Sequence, residues 1–92
     1  MSDAVVDTFE VVNELGLHAR AAAKLVQTAE RFRSHITISK DAQQVDAKSV
    51  MGLLLLCGTR GTTLTVKARG PDAAEAVDAI GKLIAGRFGE ER

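Results

Sequence analysis

His18 and Arg20, separated by one alanine, are the residues of this chain whose types and spacing suit group-transfer chemistry. Neutral imidazole is a nucleophile near neutrality, with an ordinary pKa of about 6.5. A phosphoramidate formed on it is more labile than a serine phosphate ester, so the group can be passed onward. The nearby guanidinium can chelate phosphate oxygens. Position matters as much as type. Gly16-Leu17-His18-Ala19-Arg20 stands where loop gives way to a helical pattern, so His18 occupies or adjoins an N-cap. The first amides of a helix lack intrahelical partners, and the helix dipole adds partial positive charge there. Together they form an anion site that fits a phosphoryl group. The same terminus disfavours a protonated ring and keeps it nucleophilic. Type and spacing alone leave the alternative open: a lone histidine at a helix start is more commonly a capping or surface residue. His35 begins a strand without a charged or nucleophilic partner in a motif, and its expected role is structural.

The elements that hold this segment follow from the spacing of apolar residues. A first strand is expected over about residues 6–12, with Phe9 and Val11 facing one way and Thr8 and Glu10 the other. Asn13-Glu14-Leu15-Gly16 reads as a loop. From His18 onward Ala22, Leu25, Val26, Ala29 and Phe32 recur at helical steps, an amphipathic helix of about four turns. Ile36 and Ile38 mark a second strand; Val45 and Ala47 mark a short third one. Ser49 is a good N-cap for a short helix over the run that follows. Leu64, Val66 and Ala68 alternate with Thr65, Lys67 and Arg69 in a fourth strand. Asp72 and Glu75 have the spacing of a capping box at the head of a last helix. Strands with one apolar face imply a sheet solvated on one side and covered by helices on the other, an open-faced α+β sandwich.

Composition narrows the class of function. The 92 residues suit one domain spanning residues 1–92. Twelve basic and twelve acidic residues cancel, and aromatics make up 3% of the chain. Nucleic-acid binding is therefore not expected, either by charge or by base stacking. One cysteine and two histidines do not make a zinc site. Cys57 is expected to be a small buried hydrophobe. The acidic start Met1-Ser2-Asp3-Ala4 is unlike a signal peptide, and the longest apolar run, Leu53 to Cys57, is too short to span a membrane. A cytoplasmic setting without membrane insertion is the expectation. No P-loop or metal constellation accompanies His18, so the expected role is stoichiometric carriage, not enzymatic turnover, with no cofactor.

Two segments resemble motifs of a known family. Gly16-Leu17-His18-Ala19-Arg20 is similar to the active-site motif of HPr, the histidine-containing phosphocarrier of the bacterial phosphotransferase system. Ala47-Lys48-Ser49-Val50-Met51-Gly52-Leu53 is similar to its regulatory motif, and the two lie at the family's spacing. The resemblance implies a four-stranded antiparallel sheet with three helices on one face, in the order βαββαβα. It implies that His18 is phosphorylated on Nδ1 by phosphorylated enzyme I, with phosphoenolpyruvate as ultimate donor, and that Arg20 stabilises the phosphate. The group would pass to IIA domains of sugar permeases or to regulators. Ser49 would be a second phosphorylation site, modified by an HPr kinase/phosphorylase; a plain N-cap explains the same serine. Lys24, Lys48, Val50, Met51 and Leu54 are the implied docking residues, with Leu53 and Leu56 assigned to the core. A monomer is expected.

Departures from the family pattern bear on partner choice. Ala21 stands where most members have proline, and Gln27 and Glu30 where many carry lysines. A regulatory or nitrogen-linked paralogue is the alternative reading. The order βαββαβ is also that of small-molecule-sensing modules with a ferredoxin-like plan, which do not require His18 and Arg20 at a helix start.

Overall fold

The computed structural model describes residues 3–92; Met1 and Ser2, the start of the acidic N-terminal stretch, lie outside the described residues. The chain runs through β1 (Ala4–Glu10), α1 (Ala19–Ala29), β2 (His35–Lys40), β3 (Gln43–Asp46), α2 (Val50–Leu55), β4 (Thr63–Arg69) and α3 (Ala73–Ala85), ending in a short 3-10 turn, Arg87–Gly89. The strands form one antiparallel sheet in the order β1-β4-β2-β3. Ile36, Ile38, Leu64, Val66 and Ala68 point to the covered face and are fully buried. Between them on the same strands His35, Lys67 and Arg69 face solvent. The period of two has thus sorted one apolar face from one wet face, as expected of an open-faced sandwich.

The helices close the core from one side. Ala21, Ala22, Leu25, Val26 and Ala29 form the buried stripe of α1, and Ala76, Ile80 and Ile84 are fully buried on α3. Leu53 and Leu56 are buried at the base of α2, as the sequence predicts. Close approach replaces bulk where α3 meets β1, since a Cβ on Gly81 would fall 2.3 Å from the Phe9 ring.

Several expectations needed correction. β1 begins two residues earlier than the alternation suggests and ends at Glu10. Val11 still donates to the Thr62 carbonyl at 2.8 Å, so pairing with the β4 arm outlasts the regular strand. Phe32 lies beyond the end of α1, and Ala47 just past β3, though both still contribute to the interior. Asp72 occupies the N-cap of α3 but makes no capping bond, so the box with Glu75 does not form. Its carboxylate instead accepts from the Arg33 amide at 2.9 Å, the Ser34 amide at 3.0 Å and the Ser34 hydroxyl at 2.6 Å. These bonds, the Ser34 hydroxyl foremost, hold the Asp72 carboxyl below the usual carboxylate range. Cys57 is exposed, contrary to expectation. It sits just after α2 at φ +52°, a left-handed turn that swings its side chain away from the core.

Candidate functional site at the head of the first helix

The site begins with a turn that only glycine can make. Gly16 has φ +69°, and a Cβ there would lie 2.5 Å from the Gly58 carbonyl oxygen. The Leu17 amide donates to that same oxygen at 2.8 Å, and the Leu17 side chain enters the core. With Leu17 fixed, the next residue can only emerge at the head of α1. His18 is the N-cap, extended at φ −78° and ψ 178°, and its carbonyl accepts from the Ala22 amide at 2.8 Å. Its Nδ1 accepts from the Arg20 amide at 3.3 Å. Nδ1 therefore carries a lone pair and points at the unpaired first-turn amides. The side chain is 27% exposed, within reach of solvent.

The other ring nitrogen meets a group that sequence reasoning missed. Nε2 is hydrogen-bonded to the Glu90 carboxylate. That carboxylate arrives from the far end of the chain through an unusual turn, in which Arg87 and Phe88 are both left-handed, at φ +59° and +54°. Each such non-glycine residue costs about 1–2 kcal/mol, and it persists only when its surroundings dictate it. Here Phe88 is fully buried, and its carbonyl accepts from Lys24 Nζ at 2.6 Å. The last residues then fold back along the loop after β1, where the Glu14 amide donates to the Arg92 carbonyl at 3.0 Å. Buried Asn13 donates from one Nδ2 to the Gly16 carbonyl at 2.8 Å and to Glu90 at 2.9 Å. The Asn13 bond first, then His18 and the nearby Lys24 charge, hold the Glu90 carboxyl below the ordinary glutamate value against the opposing effect of burial.

His18, Arg20 and Glu90 line one open depression of about 500 Å³, together with Leu15, which is 70% exposed. The Arg20 side chain is exposed and makes no hydrogen bond among the described residues, so its guanidinium can turn toward an anion above the helix. Among those residues no group of three or more His, Cys, Asp or Glu side chains is placed to hold a metal ion. The remaining residues singled out in the sequence lie elsewhere. Lys24 is half-buried and tied to Phe88, while Lys48 Nζ donates to the Phe32 and Ser34 carbonyls at 3.0 and 3.3 Å. Ser49 is the N-cap of α2, its hydroxyl accepting from the Gly52 amide at 3.0 Å. Met51 is exposed at 70%, but Val50 and Leu54 are half-buried against the core. Leu55, four residues on from Met51 and 66% exposed, shares its helix face. The spacing does not separate it from Leu54, which lies three residues from Met51; the exposure does.

Comparison with known proteins gives the family and agrees with the fold. The family model described as "PTS HPr component phosphorylation site" matches residues 5–86. The phosphocarrier protein HPr of Cupriavidus necator is 52% identical over 80 residues, covering 87% of this chain and 90% of that protein. The phosphocarrier protein NPr of Shewanella violacea is 45% identical over 87% of this chain and 88% of its own. The crystal structure of HPr-C-His from Thermoanaerobacter tengcongensis superposes with a TM-score of 0.92 at 44% identity, covering 96% of this chain and 99% of that one. A histidine capping the first helix of a βαββαβα open sheet, in a chain so similar to these proteins, leaves one assignment: the chain belongs to the HPr family of phosphotransferase-system phosphocarriers.

Proposed function

We propose that His18 accepts a phosphoryl group on Nδ1 from phosphorylated enzyme I and passes it to IIA domains of sugar permeases or to regulators, in the cytoplasm. The observation that carries the reading is the Arg20 amide aimed at Nδ1. It means that the attacking lone pair already lies where first-turn amides can receive the phosphate oxygens. As the N–P bond forms, the Arg20 amide moves from the ring nitrogen to a phosphoryl oxygen and the guanidinium offers a second, charge-assisted contact. Ala21 adds an amide at a position where proline has none, so the anion site is not weakened by the substitution. The protein turns nothing over by itself. The phosphohistidine is a stoichiometric intermediate, and the transfer steps are catalysed in complex with its partners.

Met51 and Leu55 supply exposed apolar surface on which such partners dock, with Lys24 and Lys48 as candidate contributors of positive charge. Ser49 is a candidate for regulatory phosphorylation, which would add close to two negative charges to α2. The nitrogen-linked reading draws on the 45% identical NPr, which falls within the 42–52% identity of the HPr relatives, so onward transfer and not identity separates the two relays.

The deciding experiment supplies phosphoenolpyruvate labelled in its phosphoryl group, with enzyme I. One acid-labile, base-stable phosphate per chain is expected, absent from H18A. Label retained by H18A would move the carrier site elsewhere. Rapid onward transfer to a sugar-specific IIA domain supports the sugar relay over the nitrogen-linked one.

A further inference from the structure

We propose that Glu90 is a positioning residue for phosphoryl transfer, holding the His18 imidazole in the tautomer whose Nδ1 can attack. The inference rests on His18 being the carrier, and the geometry behind it is independent of that role. The Arg20 amide can only donate, so Nδ1 must be the acceptor nitrogen and the proton of the neutral ring sits on Nε2. The ionised Glu90 carboxylate can only accept, and it accepts that proton. The two contacts specify the same tautomer from opposite sides of the ring.

Asn13 makes the arrangement directional. Its Nδ2 must face the Gly16 carbonyl, because turning the amide over would set two oxygens against each other. With its orientation fixed, Asn13 always offers a donor to the near oxygen of residue 90. The cost is that Asn13 Oδ1 is buried with no partner among the described residues. Asn13, Glu90 and His18 thus form a chain in which every donor and acceptor is assigned up to Nδ1.

The consequence for transfer follows from the proton inventory. Nδ1 forms a bond to phosphorus as the donor's bond to phosphorus breaks, and the leaving electron pair stays with the donor. The Nε2 proton remains on the ring, which gains positive charge. The Glu90 carboxylate opposes that charge at the atom where it collects.

This makes an unusual ordering of variants testable. In E90A the ring loses its partner and both tautomers become accessible. In E90Q, Asn13 claims the amide oxygen, so the NH2 group faces Nε2 and drives the proton to Nδ1, against the Arg20 amide. Phosphoryl acceptance should therefore fall about tenfold in E90A and about a hundredfold in E90Q, as when a histidine is held in the wrong tautomer. The 15N spectrum of the imidazole, recorded on the unphosphorylated protein at neutral pH, should show protonated Nε2 in the parent. It should show a mixture in E90A and a shift toward protonated Nδ1 in E90Q. Amide spectra establish that each variant keeps the fold. Unchanged imidazole shifts in both variants, or E90Q accepting phosphate as fast as the parent, would overturn the role of Glu90 and leave His18 as carrier untouched. Label persisting in H18A overturns the carrier reading, whatever Glu90 does.

Discussion

At the start of α2 the Ser49 hydroxyl accepts from the Gly52 amide at 3.0 Å. That bond satisfies one of the orphan amides of a helix only six residues long. Removing the oxygen in S49A should lower unfolding stability by about 1 kcal/mol, measured by urea denaturation. S49D keeps an oxygen acceptor at the cap and should lose less, while adding negative charge to the surface near Met51. If that surface docks an acidic partner, S49D accepts phosphate from enzyme I more slowly and S49A does not. Equal rates in both would assign Ser49 to capping alone. Residue identity could suggest both roles for Ser49, because a serine at an N-cap satisfies either. It could not suggest the outward turn of Cys57, which depends on a left-handed backbone rather than on the hydrophobicity of a thiol.

Between β1 and α1, the loop delivers His18 to its cap by spending backbone freedom at one position. Gly16 combines φ +69° with a Cβ position 2.5 Å from a backbone oxygen, and backbone cannot swing aside as a side chain can. G16A should therefore cost about 2 kcal/mol or more, read as a lowered denaturation midpoint. The Arg20 amide should also show a changed chemical shift as the cap loosens. A variant as stable as the parent would mean that the loop has an alternative path. Elements of this kind were largely legible beforehand. Periods of two and of about 3.6 separated strands from helices, because burial of one face imposes them. What those periods do not encode is where a carboxylate will find partners. Asp72 had the spacing of a capping box, yet its oxygens went to Arg33 and Ser34, three donors brought together by tertiary packing. The same packing ties the turn between α1 and β2 to the head of α3, a connection no local pattern contains.

Across the whole molecule, the C-terminal segment is brought to the loop after β1 and the head of α1, and that closure was not legible in the sequence. Glu90 is 72 positions from His18 and meets it only because Phe88, in a left-handed conformation, is pulled into the core. The two carboxylates that join distant segments, Asp72 and Glu90, are both held below their ordinary values by hydrogen bonds made only in the folded state. A depressed folded pKa means that the unfolded chain takes up the proton first as acid is added. Each group therefore stabilises the fold fully above its unfolded value, about 4 for carboxylates. That contribution is lost as the pH falls through the folded value. The share of unfolding free energy due to these two groups, read from urea titrations, should accordingly be constant near neutrality and decline below about pH 4. The decline should be shallower in D72N and E90A, whose residues no longer titrate. It should be shallower still in the double variant, since the two sites serve separate connections and their effects should add. The Glu90 share has a local signature. On acidification, the Glu14 amide proton donated to the Arg92 carbonyl should begin to exchange before those of β4, because the tail lets go at one end while the sheet remains intact. Tail and sheet amides exchanging together at every pH would mean that the site closure is part of the global fold and not a separable clasp.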